Sequence, residues 1–257
     1  MKHVIVTGAS RGLGRAIVEL LLQPANTLFC VARSVEQELF SRAEEASSTL
    51  HWIEADLSVP QCIEPFMASI ADQVVSSGSE GITLINNAGI LSPMGLVGSG
   101  SSVEIDRAIR VNLTAPIVLT HAFVASFANA DCPRTVINIS SGAGSRAMAG
   151  LSTYSTTKAG LNMFTKAAAV EQEQRQTLSD NIHESIRFFA VSPGTVDTSM
   201  QDQLRNADEH ALPDRETYRA WKRDGSLIDP RSAAQKILSL IDRTDIQSGS
   251  YIHAKEL

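Results

Sequence analysis

Short runs of β-branched and aromatic residues alternate along this chain with longer segments whose apolar positions recur at helical spacing. HVIVT is followed by GRAIVELLLQ, TLFCVA by VEQELFSRAEEA, and LHWIEA by a segment that predicts a helix after Pro60. ITLIN leads to a long helical pattern from Asp106 to Phe127, and RTVINIS to a helix starting near Ser152. IRFFAVS precedes a helix after Pro230, and SYIHA ends the series. Strands apolar at nearly every position are buried on both faces, which calls for a parallel sheet covered by helices on either side. The expected fold class is α/β, a doubly wound parallel sheet. No repeat or low-complexity linker interrupts the 257 residues, so one domain over 1–257 is expected. Two segments break the pattern: SPMGLVGSGSSVE at 92–104 and the polar stretch from Gln201 to Asp229. Both read as loops bordering a site, the second as a substrate lid over 199–228.

Composition narrows the class of partner. Hydrophobic residues at 43% and charged residues at 19% are ordinary globular values. A net charge of −6 opposes binding to nucleic acid or to an anionic membrane, which leaves a small molecule as the expected partner. The cysteines, Cys30, Cys62 and Cys132, are odd in number and scattered, which suits neither a disulfide framework nor a metal cluster and points to a reducing cytoplasm. The opening MKHVIVTG shows no leader pattern, no apolar run is read as spanning a membrane, and the ending HAKEL is read as an ordinary terminus.

The first strand runs directly into TGASRGLGRAI, where Gly8, Gly12 and Gly14 flank Ser10, Arg11 and Leu13 at the strand-to-helix turn. Glycines there let the backbone approach a pyrophosphate, and the amides of the helix N-terminus favour the anion. This placement makes the sheet Rossmann-type and the cofactor a dinucleotide. The second strand ends in Arg33, followed by Ser34, where an NAD-binding chain carries a ribose-binding acid. Arg33 with Arg11 can pair with a 2′-phosphate, so NADP(H) is favoured. Glu36 or Glu38 is the alternative ribose ligand, which would imply NAD.

In LSTYSTTKAG, Tyr154 precedes Lys158 by four positions, which on a helix stacks the two side chains one turn apart. An ammonium about 4 Å from a phenol would favour the phenolate by roughly 4 kcal/mol at an effective dielectric near 20, lowering a pKa of about 10 by about 3 units. The pair then exchanges a proton near neutral pH. The alternative is an exposed tyrosine and lysine on a helix face.

Further segments fall into order: EADLS with Asp56 and Leu57, NNAG at 86–89, NLTAP with Asn112, and INISSGAG with Ser140 and Ser141. Together with TGASRGLG, YSTTK and SPGTVDT they resemble, from end to end, the single-domain branch of the short-chain dehydrogenase/reductase family. The resemblance implies an oxidoreductase that transfers hydride between NADP(H) and a carbonyl. It makes Tyr154 the proton donor, Lys158 the residue that lowers its pKa and holds the ribose, Ser141 (rather than Ser140) the carbonyl-polarising hydroxyl, and Asn112 part of a proton relay. It places Asp56 and Leu57 at the adenine, Asn86, Ala88 and Gly89 beside the adenosine, and Pro193, Gly194, Val196 and Thr198 at the nicotinamide.

The C-terminal third resembles the branch that holds sepiapterin reductase and bacterial benzil reductases, implying a ketone next to a second carbonyl. Ser141, Tyr154, Gly194 and Asp229 are then the substrate contacts, although Asp229 before Pro230 also suits a helix N-cap. Met200, Leu204, Tyr218 and Trp221 either line the lid or pin it down. The resemblance further implies pairing of the Asp106–Phe127 and Ser152 helices into a homodimer or homotetramer. The charged stretch 171–187 reads as a surface excursion without chemistry. A 3-oxoacyl carrier-protein reductase and a non-catalytic NADP sensor are the alternatives.

Overall fold

The computed structural model describes residues 1–178 and 186–257. Its strands are β1 (Lys2–Thr7), β2 (Asn26–Ala32), β3 (Thr49–Glu54), β4 (Gly81–Asn86), β5 (Arg134–Ile139), β6 (Ile186–Ser192) and β7 (Tyr251–His253). They form a seven-stranded sheet in the order β3-β2-β1-β4-β5-β6-β7, with every pairing parallel. The helices are α1 (Gly12–Leu21), α2 (Gln37–Glu45), α3 (Ile63–Ser77), α4 (Ser102–Ile109), α5 (Ala115–Ser126), α6 (Ser152–Leu178), α7 (Ser199–Arg205), α8 (Arg215–Arg223) and α9 (Pro230–Ser239).

Period-two alternation divides the core between the two faces of the sheet. Val4 and Val6 of β1 point to the layer made by Ile17 and Leu21 of α1 with Ala233 and Ile237 of α9. Ile5 points to the opposite layer, with Met67 of α3 and Leu119 and Phe123 of α5. Polar residues also enter the interior. Asn86 and Asn138 are paired in register on β4 and β5. Asn86 Nδ2 donates to Asn138 Oδ1 at 2.8 Å, and Asn138 Nδ2 donates to Thr165 Oγ1 of α6 at 2.9 Å. Buried amides are costly unless bonded, so this chain of contacts selects one seating of α6 against the sheet.

Three expectations change. The segment 92–104 is not loop throughout: α4 begins at Ser102, because Ser101 Oγ accepts the Glu104 amide at 3.3 Å while donating to the Glu104 carboxylate at 2.9 Å. The S-x-x-E spacing was a legible capping signal. The stretch 171–187 is not an excursion over its first part, since α6 is a 27-residue helix that continues to Leu178. Residues 179–185 lie outside the described residues. Finally, α4, a π turn (Arg110–Thr114) and α5 make a 25-residue helical run, Ser102–Ser126, that includes an 18-residue window with a mean hydropathy of 1.4, enough to match a membrane span in length and composition. Its apolarity serves the core instead, where Ala115, Leu119 and Phe123 are buried against the sheet.

Candidate active site

A cleft of about 400 Å³ opens at the C-terminal ends of the central strands, where an open parallel sheet presents its ligand site. Ser10, Arg11, Leu13 and the glycines of the first turn form one wall. Gly8 and Gly12 adopt φ of +67° and +55°, which side chains rarely tolerate. A Cβ on Gly8 would stand 2.9 Å from Ala88 Cα, and one on Gly14 would strike the Gly8 carbonyl and the Asn87 amide. No side chain caps α1 and no acid occupies its first turn, so its leading N–H groups remain available to an anion. This cradle fits a pyrophosphate.

The turn is held by a residue the sequence reading passed over. Asn87 Nδ2 donates to the carbonyls of Thr7 (2.9 Å) and Gly8 (3.2 Å), and Thr7 Oγ1 accepts from the amides of Asn87 and Ala88. Asn86, expected beside the adenosine, instead has its side chain inside the sheet, bonded to Asn138 and away from the cleft. The two neighbours separate because Asn86 still belongs to β4 and Asn87 is the first residue beyond it. Ala88, Gly89, Asp56, Leu57, Pro193 and Thr198 line the cleft.

At the adenosine end, Arg11 and Arg33 are exposed on the cleft wall and form no ion pair among the described residues. Ser34 is not part of that wall. Glu36 and Glu38 do not reach it either: Arg15 lies 2.6 Å from Glu38 and 4.0 Å from Glu36, and Arg42 also faces Glu38. An acid paired to the ribose there would repel a 2′-phosphate, whereas guanidinium groups without an ion pair among the described residues attract one. Asp56 is held below the usual carboxylate range, chiefly by the Ser58 amide at 2.9 Å, with Arg33 and Arg107 adding smaller effects. Arg107 also lines the cleft. Only the crossing of α4 over the strand ends brings it there, so no local pattern announced it.

Deeper in the cleft, Tyr154 is buried next to Ser141, whose Oγ accepts the Ala143 amide at 3.2 Å and which stands just behind the lining that Ser140 and Tyr154 contribute. Ser140 is otherwise engaged, donating to Asn162 Oδ1 at 2.5 Å. Lys158 is buried beneath, with Nζ donating to the Ile139 carbonyl at 2.8 Å and lying 5.8 Å from the centre of the Tyr154 ring. One helical turn therefore brings the ammonium against the Tyr154 ring. The expected lowering of the Tyr154 pKa by Lys158 is not what the geometry gives. Burial pushes Tyr154 up, the neighbouring Ser141 hydroxyl partly offsets this, and burial pushes Lys158 down to about 8.

Asn112, in the π turn, is fully buried; its Oδ1 accepts the Ile90 amide and its Nδ2 donates to the Ile90 carbonyl, both at 2.8 Å. A Cβ on Gly89 would lie 3.4 Å from Asn112 Oδ1 and 3.7 Å from Lys158 Nζ, so these groups share one corner.

Three expected contacts are corrected. Asp229 is the N-cap of α9, its carboxylate accepting the Ser232 amide at 2.9 Å and hydroxyl at 3.2 Å, and it does not line the cleft. Gly194, at φ +85°, and Val196 lie outside the cleft lining; a Cβ on Gly194 would meet the Ile228 side chain at 2.7 Å, and Val196 bridges to Ile228. They shape the loop that carries Pro193 and Thr198. Within 199–228, Met200 faces the cleft, whereas Leu204 and Tyr218 are buried in a cluster with Tyr154, Leu91 and Leu151. Trp221 meets Tyr218 edge to face at 5.2 Å. Lining and anchoring are thus divided among the four side chains.

The depressed Lys158 predicts a pH effect. Without a bound dinucleotide this amine is charged below about 8 and neutral above, so kcat/KM for the dinucleotide, which reports the free protein, is expected to fall as pH rises through that value. In Lys158→Arg the group stays protonated, and the alkaline limb moves up by more than about one unit even though the rate is lower. An identical limb in both proteins rules Lys158 out as its source.

Comparison with known proteins agrees with this site. The sequence profile of the short chain dehydrogenase family matches residues 2–209. A benzil reductase ((S)-benzoin forming) of Bacillus cereus is 33% identical over 256 residues, covering 100% of both chains. A sepiapterin reductase of Bos taurus is 30% identical over 259 residues, covering 96% of this chain and 92% of its own. The crystal structure of the KRED1-Pglu enzyme superposes with a TM-score of 0.82 at 26% identity, over 98% of this chain and 100% of that one. With an α/β sheet of the matching order and reductases as full-length relatives, the chain belongs to the short chain dehydrogenase family and is an oxidoreductase acting on C=O and CH–OH groups.

Proposed function

We propose that this protein is an NADPH-dependent carbonyl reductase whose substrate is a ketone beside a second carbonyl, with apolar or aromatic flanks of the benzil type. The observation that carries the reading is the buried Tyr154 beside Ser141 with Lys158 against its ring, in the cleft where Arg11 and Arg33 are exposed and form no ion pair among the described residues. The glycine turn would hold the pyrophosphate, Arg11 and Arg33 the 2′-phosphate, and Lys158 the nicotinamide ribose. NADPH supplies the hydride when bound. Tyr154 hands its proton to the carbonyl oxygen as negative charge develops there, and the Ser141 hydroxyl gives that oxygen a second hydrogen bond. Lys158, at the corner it shares with Asn112, stabilises the transient tyrosinate and passes on the replacement proton.

The flanks of the substrate are argued from the cap. Met200, Met94 and Met148 pack with Tyr218, Trp221 and Leu91 around Tyr154, and thioethers adapt to flat apolar groups. A pterin would need an acid facing its ring nitrogens, and Asp229 is engaged in capping α9. The benzil-type reading is therefore preferred to sepiapterin. Exposed Val103 and Ile109 on α4 and Met163 and Val170 on α6 support a homodimer through these helices, and sedimentation at micromolar concentration checks it: a monomer removes the idea.

Tyr154→Phe is expected to bind NADPH as the native protein does and to lose about 10³-fold in kcat with benzil, within the range of general acid catalysis. Retained turnover refutes the assignment of the proton donor. Arg33→Glu is expected to weaken NADPH by about 10- to 100-fold, the scale of a lost charge-assisted bond, while leaving NADH nearly unchanged. Equal loss for both nucleotides points to a general structural role instead. The native protein, assayed with benzil, sepiapterin and an acetoacetyl thioester, is expected to prefer benzil; preference for the thioester favours the carrier-protein reductase alternative.

A further inference from the structure

Ser141 depends on more than its own turn. Its peptide follows β5 in an extended conformation, φ −158° and ψ 154°, and its carbonyl accepts the Gly144 amide at 2.9 Å, closing the short 3₁₀ turn Gly142–Gly144. On the other side, Ser140 is tied to β6 through its amide and the Val191 carbonyl at 2.7 Å. A bond from within the turn cannot stop the turn from rocking as a unit about its junction with the strand. From outside, Gly144 packs on α6, and the hydrogen bond made directly to the Ser141 peptide comes from Tyr251, whose hydroxyl donates to the Ser141 carbonyl at 3.1 Å across 110 positions of sequence.

Tyr251 is well placed to bear on that carbonyl. It stands on β7, whose pairing with β6 sets Tyr251 opposite Ala190. Alternation sends the neighbouring Ile252 into the core and keeps Tyr251 and His253 on one face, their rings edge to face at 5.2 Å. The phenol is thus braced by its own strand. We infer that Tyr251 is a positioning residue for catalysis: by holding the Ser141 carbonyl it fixes the Ser141 hydroxyl against Tyr154. It does not line the cleft, so it acts through Ser141 rather than on the substrate. The inference rests on the proposed role of Ser141 at the substrate carbonyl.

Single-turnover oxidation of NADPH with benzil, in four proteins, tests it: native, Tyr251→Phe, Ser141→Ala and the double variant. Tyr251→Phe keeps the ring and removes one oxygen, and it is expected to slow the reaction about tenfold, the scale of one hydrogen bond and a slightly misplaced reacting group. Its NADPH dissociation constant, read from cofactor fluorescence, stays within about twofold of native, because binding energy is not what is lost. In the Ser141→Ala background the same change costs less than about twofold, since the hydroxyl to be positioned is gone. The inference is overturned by a native rate in Tyr251→Phe, by an equal factor in both backgrounds, or by a parallel loss of NADPH binding. Full activity in Ser141→Ala is a different failure: it removes the assigned role of Ser141, and the role of Tyr251 with it.

Discussion

An ammonium buried beneath the cleft is the constraint around which this structure is arranged. Lys158 is 4% exposed and has one hydrogen bond among the described residues, to the Ile139 carbonyl at 2.8 Å. Burying a charge with so few partners costs several kcal/mol unless other groups complete its shell. The remaining N–H donors belong to a side chain that lines the cleft floor. The protein therefore carries a site that is stable but electrostatically incomplete, which a ligand rich in hydroxyl oxygens relieves. Holding the amine there demands a rigid α6, and the buried Asn86–Asn138–Thr165 chain together with Leu161 in the core supplies the rigidity.

The same burial divides the work between Tyr154 and Lys158. Both ionised forms are disfavoured, tyrosinate by desolvation and ammonium likewise, so Tyr154 rises while Lys158 falls to about 8. The phenol stays protonated in this setting, and the neighbouring Ser141 hydroxyl offsets part of the cost of ionising it. Under the proposed reaction, hydroxyls held in place before charge develops on a substrate oxygen would act as preorganised dipoles that lower the barrier.

The segment that carries α7 and α8 is joined to this site. Tyr154 belongs to the same buried cluster as Leu204 of α7 and Tyr218 of α8. Lys222 of α8 meets Asp197 at 2.6 Å, and Asp197 follows the loop that carries Pro193 toward the cleft. The walls for cofactor and substrate are thus packed against each other. Any displacement of α7 and α8 is felt at the phenol.

What the residues alone announced was whatever depends on local spacing. Continuous apolar strands gave the parallel sheet, and the glycines between β1 and α1 marked a turn that side chains would obstruct. Tyr154, Lys158, Ser141 and Asn112 stand at spacings that identified the family. Spacing also misled. It predicted a lowered Tyr154 pKa where burial raises it, and it was the resemblance, not the spacing, that offered Asp229 to the substrate, since the residue before Pro230 also read as the N-cap it forms on α9. Asn87, Arg107 and Tyr251 gained their roles only through tertiary structure, because each acts on a partner brought near by strand order or helix crossing. Sequence periodicity reports which face of an element is apolar. It carries no information about which distant carbonyl or carboxylate that face will meet, and that depends on how the layers pack.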